Sequence, residues 1–219
     1  WDNLVDTDPE TRRHNRQCML DALALTDALG AACAVDIFGS YCHGNGNSRH
    51  VAANFSEDAF DEAVAMARFF LDTVQPRTAF FTYEIFPFSV VDSPAMIERL
   101  IEAVDRPRFG VHLDLVNLIN GPRAYWSSGE IIRECVRRFG GRIVAAHVKD
   151  IQLKEPAISV ILEEVIPGQG ALDMGAFVRE IQRLPQPVPF MMEHLRSAAE
   201  YDQAAAYIRR VAEAEGIRI

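Results

Sequence analysis

An alternating α/β fold is what this chain predicts, and three observations predict it. Short apolar runs, each of strand length, recur along its 219 residues. A helix-patterned segment separates each run from the next, usually opened by a capping signal. Four of the runs also end in a side chain able to hold a metal ion. Strands joined by crossover helices lie parallel and point their carboxyl ends the same way, the grammar of a (β/α) barrel or of a doubly wound sheet.

The elements follow in order. Asp8-Pro9 joins an N-cap to a proline at the first helical position, and Gly30 closes that helix. The run at 31–37 is the first strand. A polar loop at 39–48 follows; its glycines resemble a phosphate cradle only weakly, because the full spacing and the immediate helix are missing. Asn54 with Glu57 reads as a capping box for a helix to Val74. After a strand at 80–84, Ser93-Pro94 caps a helix over 95–104. After a strand at 109–114, Ser127 with Glu130 caps a helix ending at Gly140-Gly141. After a strand at 143–148, Asp173 opens a helix ending near Leu184. A last strand at 188–193 precedes Ser197 with Glu200, which cap a helix to Gly216. No linker or low-complexity tract interrupts the series, so one domain over 1–219 is expected. A closed barrel needs eight strands and about 250 residues. As a barrel, the five strands here predict that about three amino-terminal βα units are missing.

The ligand-bearing runs are Phe80-Phe-Thr-Tyr-Glu84, Phe109-Gly-Val-His-Leu-Asp114, Ile143-Val-Ala-Ala-His147 and Val188-Pro-Phe-Met-Met-Glu193. Glu84, Asp114, His147 and Glu193 are separated by 30, 33 and 46 residues, near the length of one βα unit. A local metal loop would cluster its ligands within a few residues, so only the fold can gather these. Two Glu, one Asp and one His form a mostly hard-oxygen set suited to Mn, Mg or Co. Such an ion polarises the carbonyl of a hydroxy-ketone, and a carboxylate beside it can take the proton from the adjacent carbon. Each residue also has a plainer reading: Glu84 and Asp114 as strand-end caps, His147 as a hydrogen-bonded core histidine. Glu193 is the hardest to read that way, since a charge after a fully apolar strand needs a partner.

Other residues carry weaker signals. Lys149 shares a strand face with His147, as a supporting charge or a donor to a substrate oxygen. His112 shares a face with Asp114, lining the interior or touching substrate. Asn117 orients the loop after Asp114 or simply turns the chain. His43, in the polar loop, is a solvated residue or a substrate contact. His194, next to Glu193, should point away from it, and Glu163-Glu164 reads as a solvated acidic patch.

Composition bounds the function. A hydrophobic share of 49% supports a real core, and no run approaches the roughly 18 apolar residues of a spanning helix, so a cytoplasmic protein with no membrane partner is expected. A net charge of −9 with thinly spread Lys and Arg weighs against nucleic acid. Cys18, Cys33, Cys42 and Cys135 lack CxxC spacing and read as reduced and structural.

Tyr83-Glu84, Gly110-Val-His-Leu-Asp114, Ala146-His-Val-Lys-Asp150, Val165-Ile-Pro-Gly-Gln-Gly-Ala-Leu-Asp173 and Met192-Glu-His194 together resemble the sugar phosphate isomerase/epimerase proteins of the xylose isomerase-like TIM-barrel superfamily. The resemblance covers the chain from its first helix and implies a (β/α)8 TIM barrel whose first three units are missing. It implies one divalent metal held by Glu84, Asp114, His147 and Glu193, with Glu84 and Glu193 doubling as the acid/base pair. The implied reaction is isomerisation or epimerisation of a small sugar-derived substrate by proton transfer through an enediolate. An inosose dehydratase-like elimination is the nearest alternative, and an endonuclease IV-like phosphodiesterase a more distant one. Asn117 stands where epimerases often carry a histidine, and Lys149 or Arg196 would have to substitute for their substrate-binding arginine. The endonuclease's larger His and Asp set for three zinc ions is not here. The superfamily also implies a homo-oligomer.

Overall fold

The computed structural model describes residues 2–44 and 49–218 and divides into two compact units, one ending at His112 and the other beginning at Leu113. Residues 45–48 of the 39–48 loop lie outside the described residues.

In the first unit, α1 (Pro9–Leu29) begins where the Asp8 carboxylate accepts the Thr11 amide and ends at Gly30 in the left-handed region. β1 (Cys33–Asp36), β2 (Phe80–Glu84) and β3 (Phe109–Asp114) follow, with β1 pairing parallel to β2 and β2 to the first residues of β3. Between them lie α2 (Glu57–Val74) and α3 (Pro94–Val104), the latter capped by Ser93 as expected. One cap differs from the sequence reading. Ser56, not Asn54, accepts the Ala59 amide at the start of α2. Asn54 is buried in the preceding 3-10 turn, where it accepts the Tyr41 amide and donates to the Phe88 carbonyl. An Asn two residues early satisfies loop groups that a helix cap would leave buried and unpaired.

The core of this unit is aromatic. Phe81 meets Phe70 of α2 at 5.2 Å and Tyr83 at 4.9 Å, both edge to face, and Tyr83 donates its hydroxyl to the Ala63 carbonyl. Alternation along β2 sends Phe81 and Tyr83 to the helix layer, and so Glu84 to the opposite face.

In the second unit, α4 (Pro122–Trp126) and α5 (Ser128–Phe139) precede β4 (Ile143–Val148). Ser127 precedes α5 but makes no side-chain cap; its hydroxyl donates to Arg123 O at the end of the short α4, which the sequence reading had not separated. An antiparallel hairpin of β5 (Asp150–Leu153) and β6 (Leu162–Val165) was also not foreseen. α6 (Met174–Gln182) is capped by Asp173, and β7 (Phe190–Met192) pairs parallel to β4. α7 (Ala198–Ala214) starts at a Ser197 cap. β3 and β4 are buried at every position, as parallel strands covered on both faces must be. Phe177 of α6 stacks on Phe190 of β7 at 5.0 Å. All four cysteines are free thiols, and no helix among the described residues is long and apolar enough to cross a membrane.

Phe81 is fully buried, so Phe81→Ala is expected to cost about 3–5 kcal/mol of unfolding free energy. Urea denaturation followed by circular dichroism measures this, and a loss below about 1 kcal/mol would mean that the aromatic cluster is not the core of this unit.

Candidate metal centre

The centre is assembled from strand ends. At the end of β3 the Asp114 carboxylate captures the backbone that follows it: Oδ1 accepts the amides of Val116 at 3.0 Å and Asn117 at 3.3 Å. That turn stops the strand and fixes one carboxylate oxygen, leaving Oδ2 to meet side chains. Asn117 thus contributes its backbone to the placement of Asp114. His147 is the penultimate residue of β4, Lys149 follows the strand with the same parity, and Glu193 comes directly after β7.

These four converge. His147 Nδ1 stands 3.5 Å from Asp114 Oδ2 and 3.2 Å from Glu193 Oε2. Lys149 Nζ stands 2.7 Å and 2.8 Å from the same two oxygens. One ligand atom from each of Asp114, His147 and Glu193 lies within 4.8 Å of the others. Asp114 and Lys149 are almost entirely removed from solvent, whereas the Glu193 side chain keeps 24% of its exposure. Burial works against the Lys149 charge, but Asp114 and then Glu193 outweigh it and hold the ammonium above its ordinary pKa. Burial likewise pushes the Asp114 carboxyl up, and His147 with Lys149 reverses this to hold it below the usual carboxylate range. An imidazole nitrogen and two carboxylate oxygens crowded around one point match the donor chemistry of a divalent ion.

Beside Lys149, Asp150 organises the return to α6. Its Oδ2 accepts the amides of Gly168 at 2.9 Å and Gly170 at 3.0 Å, and its Oδ1 those of Ile151 at 2.9 Å and Leu172 at 3.1 Å. A β-carbon on Gly170 would fall 2.3 Å from both Asp150 Oδ1 and the Ile151 carbonyl, so only glycine fits. Gly168 sits at φ 97° with the Tyr207 ring against it. The Pro-Gly-Gln-Gly-Ala-Leu-Asp segment is therefore a wrap around one buried carboxylate.

Two residues belong to the centre that the sequence reading set aside. Glu163 and Glu164 lie on a strand, so they point to opposite faces. Glu163 pairs with Lys154 at 2.7 Å near solvent, while Glu164 reaches His194 Nδ1 at 2.6 Å and Lys149 Nζ at 3.5 Å. His194 does not point away from Glu193: its Nε2 is 3.6 Å from Glu193 Oε2. Strand alternation fails there because β7 ends at Met192 and His194 adopts φ 60°. A cavity of about 220 Å³ opens on this side, lined by Lys149, Glu164, Gln169, Glu193, His194 and Arg196. Arg196, read as a substrate contact, is on its wall.

In the first unit, Glu84 ends β2, is buried, and pairs in register with His112. Each offers a ligand atom within 4.8 Å of the other. His43 places Nδ1 3.0 Å from Asp6 Oδ1, and the Gly44 amide donates to the other oxygen of Asp6. This pair holds the start of the polar loop to the segment before α1.

Residues 2–211 match a family model described as a xylose isomerase-like TIM barrel. No curated protein matches the chain by sequence. Among solved structures, the chain is similar to a xylose isomerase-like TIM-barrel protein from Mycobacterium smegmatis in complex with magnesium, at 16% identity and a TM-score of 0.73, covering 95% of this chain and 70% of that one. D-psicose 3-epimerase with D-tagatose, from Clostridium cellulolyticum H10, is 15% identical with a TM-score of 0.62, covering 98% of this chain and 72% of that one. The "probable 3-DHS dehydratase AsbF" of Bacillus anthracis is 15% identical with a TM-score of 0.64, covering 94% and 71%. These likenesses show the fold.

Lys149 is the cation that Asp114 and Glu193 share, so Lys149→Met in the presence of a chelator is expected to cost about 3 kcal/mol of stability. Urea unfolding with and without chelator reads it. A loss below about 0.5 kcal/mol would show that the two carboxylates do not depend on this ammonium.

Proposed function

The chain belongs to the xylose isomerase-like TIM-barrel family, and within it we propose a divalent-metal-dependent isomerase or epimerase of small sugar-derived ketones. The observation that carries this reading is the convergence of Asp114, His147 and Glu193 on one point. Glu84 is the fourth ligand in this proposal, on the strength of its place at the carboxyl end of β2 and of the family pattern. A divalent ion bound there supplies Lewis-acid polarisation of a carbonyl. The occurrence of Mg, the ion in the Mycobacterium smegmatis relative, alongside this donor set supports Mg, Mn or Co.

The residues divide the remaining work. Asp114, pinned through Oδ1, holds its second oxygen in place and needs no reorganisation. His147 keeps Nδ1 directed at the two carboxylates and would offer that nitrogen to the ion. Glu193, the most exposed of the set, takes the proton from the carbon next to the carbonyl, and Glu84 returns it, passing through an enediolate. Lys149, with Arg196 on the same cavity wall, donates to substrate oxygens and excludes apolar ligands. His112, Asn117 and His43 complete the proposed substrate contacts.

The dehydratase reading shares the first step and parts from it when the intermediate expels water; the likeness to AsbF favours keeping it as the second reading.

The test is proton exchange into a panel of ketoses in deuterated water, with manganese present. Deuterium is expected at the carbon beside the carbonyl, and Glu193→Gln and Glu84→Gln are each expected to slow its entry at least about 100-fold. Full exchange in both variants would sink the acid/base assignment. A product lighter by one water would move the reading to the dehydratase.

A further inference from the structure

Lys149 and a divalent ion compete for the same oxygens. The ammonium lies 2.7 Å from Asp114 Oδ2 and 2.8 Å from Glu193 Oε2, the two carboxylates that, with His147, form the metal site. A second cation entering there meets a positive charge already in contact with its ligands, and like charges at that separation repel strongly in a partly dry site. The Lys149 side chain is 3% exposed, so water can do little to replace a carboxylate as its partner. It needs another anion within reach.

Glu164 is that anion. Its Oε1 is 3.5 Å from Lys149 Nζ, the longest of the three contacts, while its Oε2 is held at 2.6 Å by His194 Nδ1. The β5–β6 hairpin fixes the position, with Glu164 opposite Ile151 in the ladder. One oxygen is thus anchored by the imidazole, and the other faces the lysine without yet taking it in full. We propose that Glu164 is a positioning residue that receives the Lys149 ammonium when a divalent ion takes the Asp114 and Glu193 oxygens. Lys149 remains charged and partnered in both states, and stays on the wall of the cavity that the substrate would enter. The exchange breaks no covalent bond and moves no proton.

This inference rests on the metal-site reading, and metal affinity separates the two. Manganese is titrated into the chelator-stripped protein and its dissociation constant measured by calorimetry. Wild-type protein that binds neither manganese, magnesium, cobalt nor zinc refutes the metal site itself. Given binding, Glu164→Gln is expected to weaken manganese affinity about tenfold, because the ammonium then has only the ligand carboxylates. Glu164→Asp, which keeps the charge, is expected to recover most of that loss. Lys149→Met is expected to tighten affinity about tenfold, and in that background Glu164→Gln should change it less than about twofold. An equal effect of Glu164→Gln in both backgrounds, or weaker binding in Lys149→Met, overturns the exchange while leaving the metal site standing. If Lys149→Met cannot be recovered folded, unchanged affinity in Glu164→Gln overturns it alone.

Discussion

A carboxylate taken out of water must have a cation, and the arrangement around Asp114 follows from that requirement. Asp114 is wholly buried at a strand end, with one oxygen spent on two backbone amides. The free oxygen is then an uncompensated charge unless something positive is delivered to it. Lys149 and His147 come from the next strand, separated by one residue so that both face the same way, and Glu193 arrives from the strand paired with it. A buried lysine would ordinarily lose its proton; here two carboxylates in contact keep it charged. Each group would be costly alone, and together they compensate one another.

The same device recurs one residue further on. Asp150 accepts four backbone amides, drawing the segment 168–172 into a loop that delivers Asp173 to the start of α6. Asp114 and Asp150 therefore do related work: Asp114 fixes the loop after β3, and Asp150, at the start of β5, fixes the loop that leads to α6, each by gathering backbone amides. Asp150 spends both oxygens on backbone and is purely architectural. Asp114 spends one, and the other is left to meet Lys149 and His147. The difference lies in the number of amides offered, which is set by the glycines. Gly168 and Gly170 let the chain come close enough to Asp150 for four contacts, and no such pair follows Asp114.

Much of this was legible in the sequence, for a physical reason. Fully buried parallel strands read as unbroken apolar runs, so Phe80–Glu84, Phe109–Asp114 and Ile143–Val148 could be placed to the residue. Caps with a side chain bonding forward, at Asp8, Ser93, Asp173 and Ser197, were equally plain. The β5–β6 hairpin was not, because its strands are short, both are half polar, and the connection between them is long for a hairpin. Missing the hairpin meant missing Glu164: without a strand, Glu163-Glu164 is a patch, whereas on a strand it is two residues facing opposite ways. His194 is hidden in the sequence for the converse reason. Alternation stops with the strand at Met192, and a positive φ turns the imidazole back toward Glu193.

The lysine also explains how such a centre can stand without collapsing. A cluster of carboxylates built only for a dication would be held apart by repulsion until the ion arrived, and the fold would then depend on metal supply. An internal ammonium neutralises part of that repulsion. On the proposed exchange, metal binding is weakened in return, since part of the ion's interaction energy would go into displacing a cation already in place. A tight structural site has no use for that compromise. A catalytic site of the kind proposed would have one, because an ammonium moved toward Glu164 would still line the cavity and add a donor to the positive charge that stabilises a developing oxyanion. The position of Lys149 between the two carboxylates proposed as metal ligands and a third outside them therefore fits the proposed chemistry as well as it fits stability.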